Sequence, residues 1–452
     1  MRLYRQSCPK FIISTTFLHM LTIENAPKED IKLFQEQQLR ENLDYVYRHS
    51  TFYKELFDAN KIRPENIQSL KDLTKLPTTS KEDLHTRNND FICVSPERII
   101  DYITTSGTLG DPVTFVLTEK DLERLAYNEY LSFLCTGGSS ANIYQLMTTI
   151  DRRFMAGLAY FLGARKLGAG IVRVGNGIPE LQWDTIKRVS PDTLIVVPSF
   201  ILKVIEYAEK NNIDYRASSI KNAICIGEPL RSADFSPNLL GQKIKDKWDI
   251  SLFSTYASTE MGTAFTECKE GRGGHHQPEL IIVEFLDEND MPAHPDDYGE
   301  LTITTLGVEG MPLVRFKTGD VCKPHTEPCA CGRNTLRLSP IIGRKKQMIK
   351  FKGTSLYPPA IYDILNNIEG INSYVVEVFT SQVGTDDLVV HVDTTIKNQA
   401  FEKNIKDTFR AKLRVTPGIV FSNAEEISKL QNADINRKPR YFIDNRESQQ
   451  IP

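Results

Sequence analysis

Between residues 154 and 227 the chain alternates helical spacing with three short apolar runs: IVRVG at 171–175, TLIVVPSF at 193–200 and NAICIG at 222–227. A run that is apolar at consecutive positions has no face to give to solvent, so it needs cover on both sides. The pattern predicts a parallel sheet with helices on either face, one of them at 154–167, and puts the chain in the α/β class.

Upstream, Ile31, Phe34, Leu39, Leu43 and Val46 recur at helical spacing within 28–60, and 102–117 reads as strand, glycine turn and strand. From Glu279 the texture changes to longer strands, ELIIVEFLD and GELTITTLG, spaced as a hairpin. From about Gln347 the order becomes β-α-β-β-α-β, with helices at 358–367 and 399–413, which is a small α+β unit in its own right. A chain of 452 residues exceeds one ordinary core, in keeping with that division.

A formal charge of -3 without long basic runs leaves no electrostatic footprint for nucleic acid, so small molecules or proteins are the expected partners. Eight cysteines, spread from Cys8 to Cys331, do not make the dense framework of a small secreted domain and fit a reducing, cytoplasmic setting. The apolar run at 11–21 is broken by Ser14, Thr15, Thr16 and His19 and is too short to span a bilayer. No membrane partner is expected, and a start at Met20 accounts for the leader more simply than a signal peptide.

The segment YITTSGTLGDPVTF at 102–115 has the small hydroxyl residues and glycines that let successive backbone N–H groups form an anion nest. It is not the ATPase phosphate loop, since only Thr108 and Leu109 separate Gly107 from Gly110 and no lysine follows. By itself the stretch reads more readily as a surface hairpin than as a phosphate site. Four further segments accompany it: STYASTEMG at 254–262, LVRFKTGDVC at 313–322, IIGRKKQMIKFKG at 341–353 and NRKPRYFIDNR at 436–446.

In this order and at these distances the segments resemble the motif series of the adenylate-forming enzymes, the superfamily of acyl- and aryl-CoA ligases, luciferases and peptide-synthetase adenylation domains. LREN, YVYRHSTFYKELFDANKI, SLKDLTKLPTTSKEDL, VVPSF and IGEPL narrow the resemblance to the phenylacetate-CoA ligase-like branch, from about Leu33 onward. The resemblance implies a large multi-sheet adenylate-forming N-terminal domain, 1–345, and a small mobile α+β C-terminal domain, 346–452. It implies that a carboxylic acid, aromatic by the branch, reacts with ATP to give an acyl-adenylate whose acyl group passes to CoA. A homodimer is a further expectation.

Each motif then acquires an implied task, because a carboxylate approaching a triphosphate needs charge neutralised and reactants aligned. Ser106, Gly107 and Thr108 would hold the β- and γ-phosphates, and Glu260 would take Mg²⁺. Tyr256 would stack near the adenine beside Gly227, Glu228 and Pro229, while Asp320 would accept the ribose hydroxyls and Arg344 would also reach the ribose. Lys438 would supply positive charge during adenylation. Lys346 would be the hinge about which Lys438 leaves and the face around Lys352 and Gly353 enters for thioester formation. Leu109 and Asp111 depart from the SGTTGKP of most relatives, and Arg437 and Pro439 flank Lys438 where a glycine usually precedes it. The same motifs admit an acceptor other than CoA, or nucleotide binding without catalysis.

Cys268 and His275 flank a glycine-rich turn, CKEGRGGH, and Cys329 and Cys331 form a Cys-x-Cys loop after the TGD motif. Together they are candidate ligands for a four-coordinate structural Zn²⁺, with His276 an equal rival for His275 and free thiols the alternative. The family resemblance supports a Cys-x-Cys-Gly element at this point.

Overall fold

The computed structural model describes residues 20–105, 113–351, 354–380, 386–431 and 440–446. Its first strands, β1 (Asp101–Thr104) and β2 (Thr114–Leu117), pair as the antiparallel hairpin expected around the glycine turn. Then come β3 (Ile143–Leu146), β4 (Gly170–Arg173), β5 (Thr193–Val196), β6 (Asn222–Ile226) and β7 (Ser251–Ser258), which are parallel in the order β4-β3-β5-β6-β7. Both faces are covered, as the apolar runs require. Leu194 and Val196 pack with Ile201, Val204 and Trp248 on one side, while Ile195 packs with Phe133, Tyr144 and Ile224 on the other.

The sheet does not stop at its parallel part. Antiparallel β8 (Thr263–Glu267) and β9 (Gly274–His275) extend it beyond β7, followed by β14 (Arg337–Leu338) and β13 (Pro324–His325), nine strands in all. A separate antiparallel sheet joins β10 (Ile281–Leu286), β11 (Gly299–Thr305), β12 (Phe316–Cys322) and β15 (Gly343–Arg344). The largest core cluster links these strands to the N-terminal helices through Leu39, Leu43, Phe265, Ile281, Leu301 and Phe316.

Three local expectations change. The run at 193–200 is a strand only to Val196, because Pro198 opens the helix Pro198–Lys210, where a missing N–H costs nothing. The helical stretch at 28–60 is two helices, Lys28–His49 and Thr51–Ala59, divided at Ser50, whose hydroxyl accepts the Tyr53 N–H at 3.3 Å. Strand β3, IYQL, was not anticipated. It is four residues long and carries a buried Gln145, whose amide donates to Gln182 Oε1 at 2.8 Å.

After Arg344 a short turn leads to the hairpin β16 (Ile349–Phe351) and β17 (Thr354–Leu356). A four-stranded sheet follows, β20 (Gly418–Ser422), β19 (Asp386–Asp393), β18 (Ser373–Thr380) and β21 (Phe442–Asn445) in that order. Helices Pro358–Asn366, Gln399–Leu413 and Ala424–Gln431 accompany it, the last unforeseen in the sequence. One apolar core gathers Ile349, Leu356, Ile361, Val376, Val390 and Phe409 and draws on no residue before Ile349.

Candidate active site

The carboxyl ends of the strands are the usual place for a ligand on a parallel sheet, which directs attention to the ends of β5, β6 and β7. At the end of β6, Gly227 takes φ +76° and starts the Gly227-Glu228-Pro229 turn. The Glu228 carboxylate accepts from the backbone N–H and hydroxyl of Ser199, each at 2.9 Å, which ties the turn to the start of the Pro198–Lys210 helix. Glu228 therefore holds this turn in place.

Tyr256 on β7, Asp320 on β12 and Arg344 on β15 meet. The Tyr256 hydroxyl donates to Asp320 Oδ2 at 2.7 Å, and Arg344 Nε donates to Asp320 Oδ1 at 3.3 Å. Local backbone explains the aim of Asp320. Leu301 alone faces Thr318, Gly319 and Asp320 across the β11–β12 ladder, so these residues bulge, with Gly319 at φ +81°. Burial and the neighbouring Asp320 carboxylate hold the Tyr256 phenol well above its usual range, so it stays a proton donor.

Glu260 lies just past β7, with its side chain 13% exposed, and shares a cavity with Ile103, Phe115, Met155, Thr259 and Met311. Lys81 Nζ approaches its carboxylate to 3.7 Å, a contact the sequence reading missed. The approach is built by Thr79, whose N–H donates to Arg315 O at 2.9 Å and whose carbonyl accepts from Lys317 N–H at 2.8 Å. Lys81 then opens the helix Lys81–Thr86, closed by a Ser80–Asp83 capping box.

Strand β1 runs into the proposed phosphate loop. Its base is fastened by Thr105, whose N–H donates to Val113 O and whose hydroxyl accepts the Val113 N–H, both at 3.0 Å. Arg152 and Arg153, consecutive residues at φ +58°, form a strained turn against it, with Arg153 O accepting the Thr104 N–H at 3.1 Å. Ser106, Gly107, Thr108, Leu109 and Asp111 lie outside the described residues, as do Lys352, Gly353 and Lys438.

Lys346 lies in the short turn between β15 and β16. Its neighbour Lys345 reaches back to Glu300 Oε2 at 3.0 Å.

Some distance along the same large sheet, Cys268, His275, Cys329 and Cys331 converge, their ligand atoms all within 4.8 Å of one another. Cys268 and Cys329 Sγ are 3.7 Å apart, and Cys331 Sγ is 3.5 Å from His275 Nε2. Thr335 Oγ1 lies 3.1 Å from His275 Nδ1, on the other side of the ring. Burial, with Arg333 and Arg337 nearby, lowers the His275 pKa to about 3 and keeps the imidazole neutral. His276 is out of contention, since its Nε2 is bonded to Ile281 O at 2.6 Å.

Tyr256, Asp320 and Arg344 are thus joined by hydrogen bonds, and Glu260 follows four residues after Tyr256. Residues 3–309 match the family described as AMP-binding enzyme. A phenylacetate-coenzyme A ligase of Aromatoleum evansii is 29% identical over 371 residues, 79% of this chain and 80% of that protein. Another, from Thermus thermophilus, is 28% identical over 423 residues, 87% and 94% of the two chains. Among solved structures, 2-hydroxyisobutyryl-CoA ligase in a postadenylation state superposes with a TM-score of 0.79 at 20% identity, covering 94% of this chain and 92% of that one. The chain belongs to the AMP-binding enzyme family, in the phenylacetate-CoA ligase-like branch of the adenylate-forming superfamily.

Proposed function

We propose that the protein is an ATP-dependent acyl-CoA ligase. The carboxylate oxygen of an acid attacks the α-phosphorus of ATP and pyrophosphate leaves. The CoA thiolate then attacks the acyl carbon of the bound acyl-adenylate and AMP departs. The observation that carries this reading is the cluster of Tyr256, Asp320 and Arg344, joined by hydrogen bonds of 2.7 and 3.3 Å, in a chain of this family. Asp320 would exchange its Tyr256 partner for the ribose hydroxyls, leaving the Tyr256 ring to cover the adenine. Arg344 would remain against the ribose.

Glu260 suits Mg²⁺, being a half-enclosed carboxylate beside a cavity and already facing one cation, Lys81. When bound, the ion would neutralise triphosphate charge. Lys438 would bring a flexible point charge to the reacting oxygen, and Lys352 and Gly353 would belong to the thioester step. The boundary between units is put at 345/346, which the separate core beginning at Ile349 supports.

A second assignment rests on the thiolate cluster. Tetrahedral zinc with sulfur at about 2.3 Å sets its sulfurs about 3.8 Å apart, and Cys268 and Cys329 stand at 3.7 Å. Cys268, His275, Cys329 and Cys331 would hold a structural Zn²⁺ with no open position. It would join the loop after β8 to the loop between β13 and β14. Among the described residues no helix is long and apolar enough to cross a membrane.

Pyrophosphate release across a panel of carboxylic acids, aromatic ones first, with and without CoA, tests the reaction. Release with CoA-dependent thioester formation is the expected result. Release without thioester would shift the reading to another acceptor, and no release with any acid would reject it. Lys438→Ala should suppress acyl-adenylate formation far more than thioester formation from supplied acyl-adenylate.

A further inference from the structure

The segment that follows the proposed hinge is tied to the C-terminal sheet by one side chain. Arg446 stands just after β21, and its guanidinium donates to Lys346 O at 3.0 Å, to Met348 O at 2.8 Å and to Asp386 Oδ2 at 3.1 Å. Asp444 steadies it, accepting Arg446 Nε at 2.8 Å. Asp386 also accepts the Lys350 N–H at 2.6 Å, so alternate residues from 346 to 350 are all held against the ends of β19 and β21. The planar, five-donor guanidinium suits this task, because its N–H groups spread in a fixed fork over two carbonyls and two carboxylates.

On the other side of the turn the backbone is fixed to the N-terminal unit. Arg344 pairs with Asp320 in the β12–β15 ladder, and Lys345 Nζ holds Glu300 Oε2. Between these anchors only the torsions around Lys345 and Lys346 are left. The Lys346 carbonyl lies beyond its own φ and ψ, so the Arg446 contacts survive a rotation there. One backbone hydrogen bond in this turn crosses the pivot, from Met348 N–H to Lys345 O at 3.2 Å.

We infer that Arg446 is a positioning residue for the proposed domain rotation. It fastens the chain from Lys346 to Lys350 to the C-terminal sheet, so that the domain turns as a rigid body about Lys345 and Lys346. The inference rests on the two-step reading above. A domain with a slack joint would stop at no defined angle, and both half-reactions depend on where it stops, since small misplacements at a reacting centre are expensive in rate.

Arg446→Met and Arg446→Lys test it. Hydrogen exchange in the ligand-free protein should quicken about tenfold for the Met348 and Lys350 amides of Arg446→Met, with β18 and β19 unchanged as the folding control. Both half-reactions, pyrophosphate exchange and thioester formation from supplied acyl-adenylate, should lose about tenfold in kcat with little change in the KM for ATP. Lysine, able to reach a single carbonyl, should restore part of each loss, and it carries the test if the methionine variant does not fold. Wild-type protection of residues 346–350 together with wild-type rates in both steps would overturn the inference. The exchange arm needs no turnover. Unaltered protection therefore counts against the Arg446 latch, whereas a wild-type protein inactive with every acid counts against the ligase reading.

Discussion

Lys81 Nζ stands 3.7 Å from Glu260 Oε1, bringing a cation from the N-terminal segment over the turn that follows β7. In the proposed phosphate loop Asp111 stands where the family resemblance implies a lysine, which makes Lys81 a candidate source of positive charge. Lys81 stands over Glu260, which lines a cavity, and would meet a triphosphate if one is held at Glu260 as proposed. Lys81→Met is expected to raise the KM for ATP about tenfold, the loss of one hydrogen bond to a charged group. Melting should stay near wild type, because a partly exposed ion pair stabilises little. Initial rates against ATP concentration decide the matter, and an unchanged KM would take Lys81 out of the phosphate site.

Asp111 leads to a prediction of opposite sign. Thr105 and Val113, which flank residues 106–112, are bonded to each other, and the proposed anion nest would draw on backbone amides and hydroxyls rather than on residue 111. An aspartate there adds repulsion to an incoming triphosphate. Asp111→Lys should lower the KM for ATP and leave the acid's KM alone. Loss of turnover in that variant would mean that Asp111 has a separate task.

The apolar runs made the parallel strands legible because burial on both faces leaves no alternation to misread. Strand β3 escaped, since it carries a buried Gln145 whose amide N–H finds its acceptor on Gln182, 37 residues away. The motif series named Tyr256, Asp320 and Arg344, and the structure brings all three together. Lys81 and Arg446 lie within quoted segments, SLKDLTKLPTTSKEDL and NRKPRYFIDNR, but no task for either followed from the motif alone. Lys81 is placed by backbone bonds from Thr79 to β12, and Arg446 by a sheet formed from distant segments. The side chain of Glu228 shows the converse, for a residue in a recognised motif is spent on holding Ser199.

Glu129 gives the protein a dependence on pH that is separate from catalysis. It is buried in the helix Glu119–Cys135 with Oε1 bonded only to Asn128 and Oε2 without a partner, and burial raises its pKa from 4.5 to about 8. Between those two values the native state binds a proton that the unfolded chain has released. Stability from this group is thus full below 4.5 and falls as pH rises towards 8, by about 1.4 kcal/mol per unit. Glu129→Gln removes the dependence. Side-by-side melting from about pH 5 to about pH 8 should show the variant gaining steadily on wild type. Parallel curves would mean that Glu129 is solvated or paired in the native protein.

The thiolate cluster yields the prediction with the plainest readout. Cys268 and Cys331 sit in loops more than sixty residues apart in the chain, and no disulfide joins them. Arg333 Nη1 lies 3.7 Å from Cys331 Sγ, and Arg333 Nε holds Glu24 at 2.7 Å, so the cluster also tethers the N-terminal segment. Three thiolates around the proposed divalent ion would leave one negative charge, and the Arg333 guanidinium stands beside Cys331 to offset it. Elemental analysis after a chelator wash should find about one zinc per chain. Replacing both Cys329 and Cys331 with serine should lose the metal and lower the melting temperature. Arg333→Met should keep the metal but weaken it towards chelators, because the charge would remain unbalanced. Protein free of zinc whose double serine variant melts like wild type would reduce the cluster to four packed side chains.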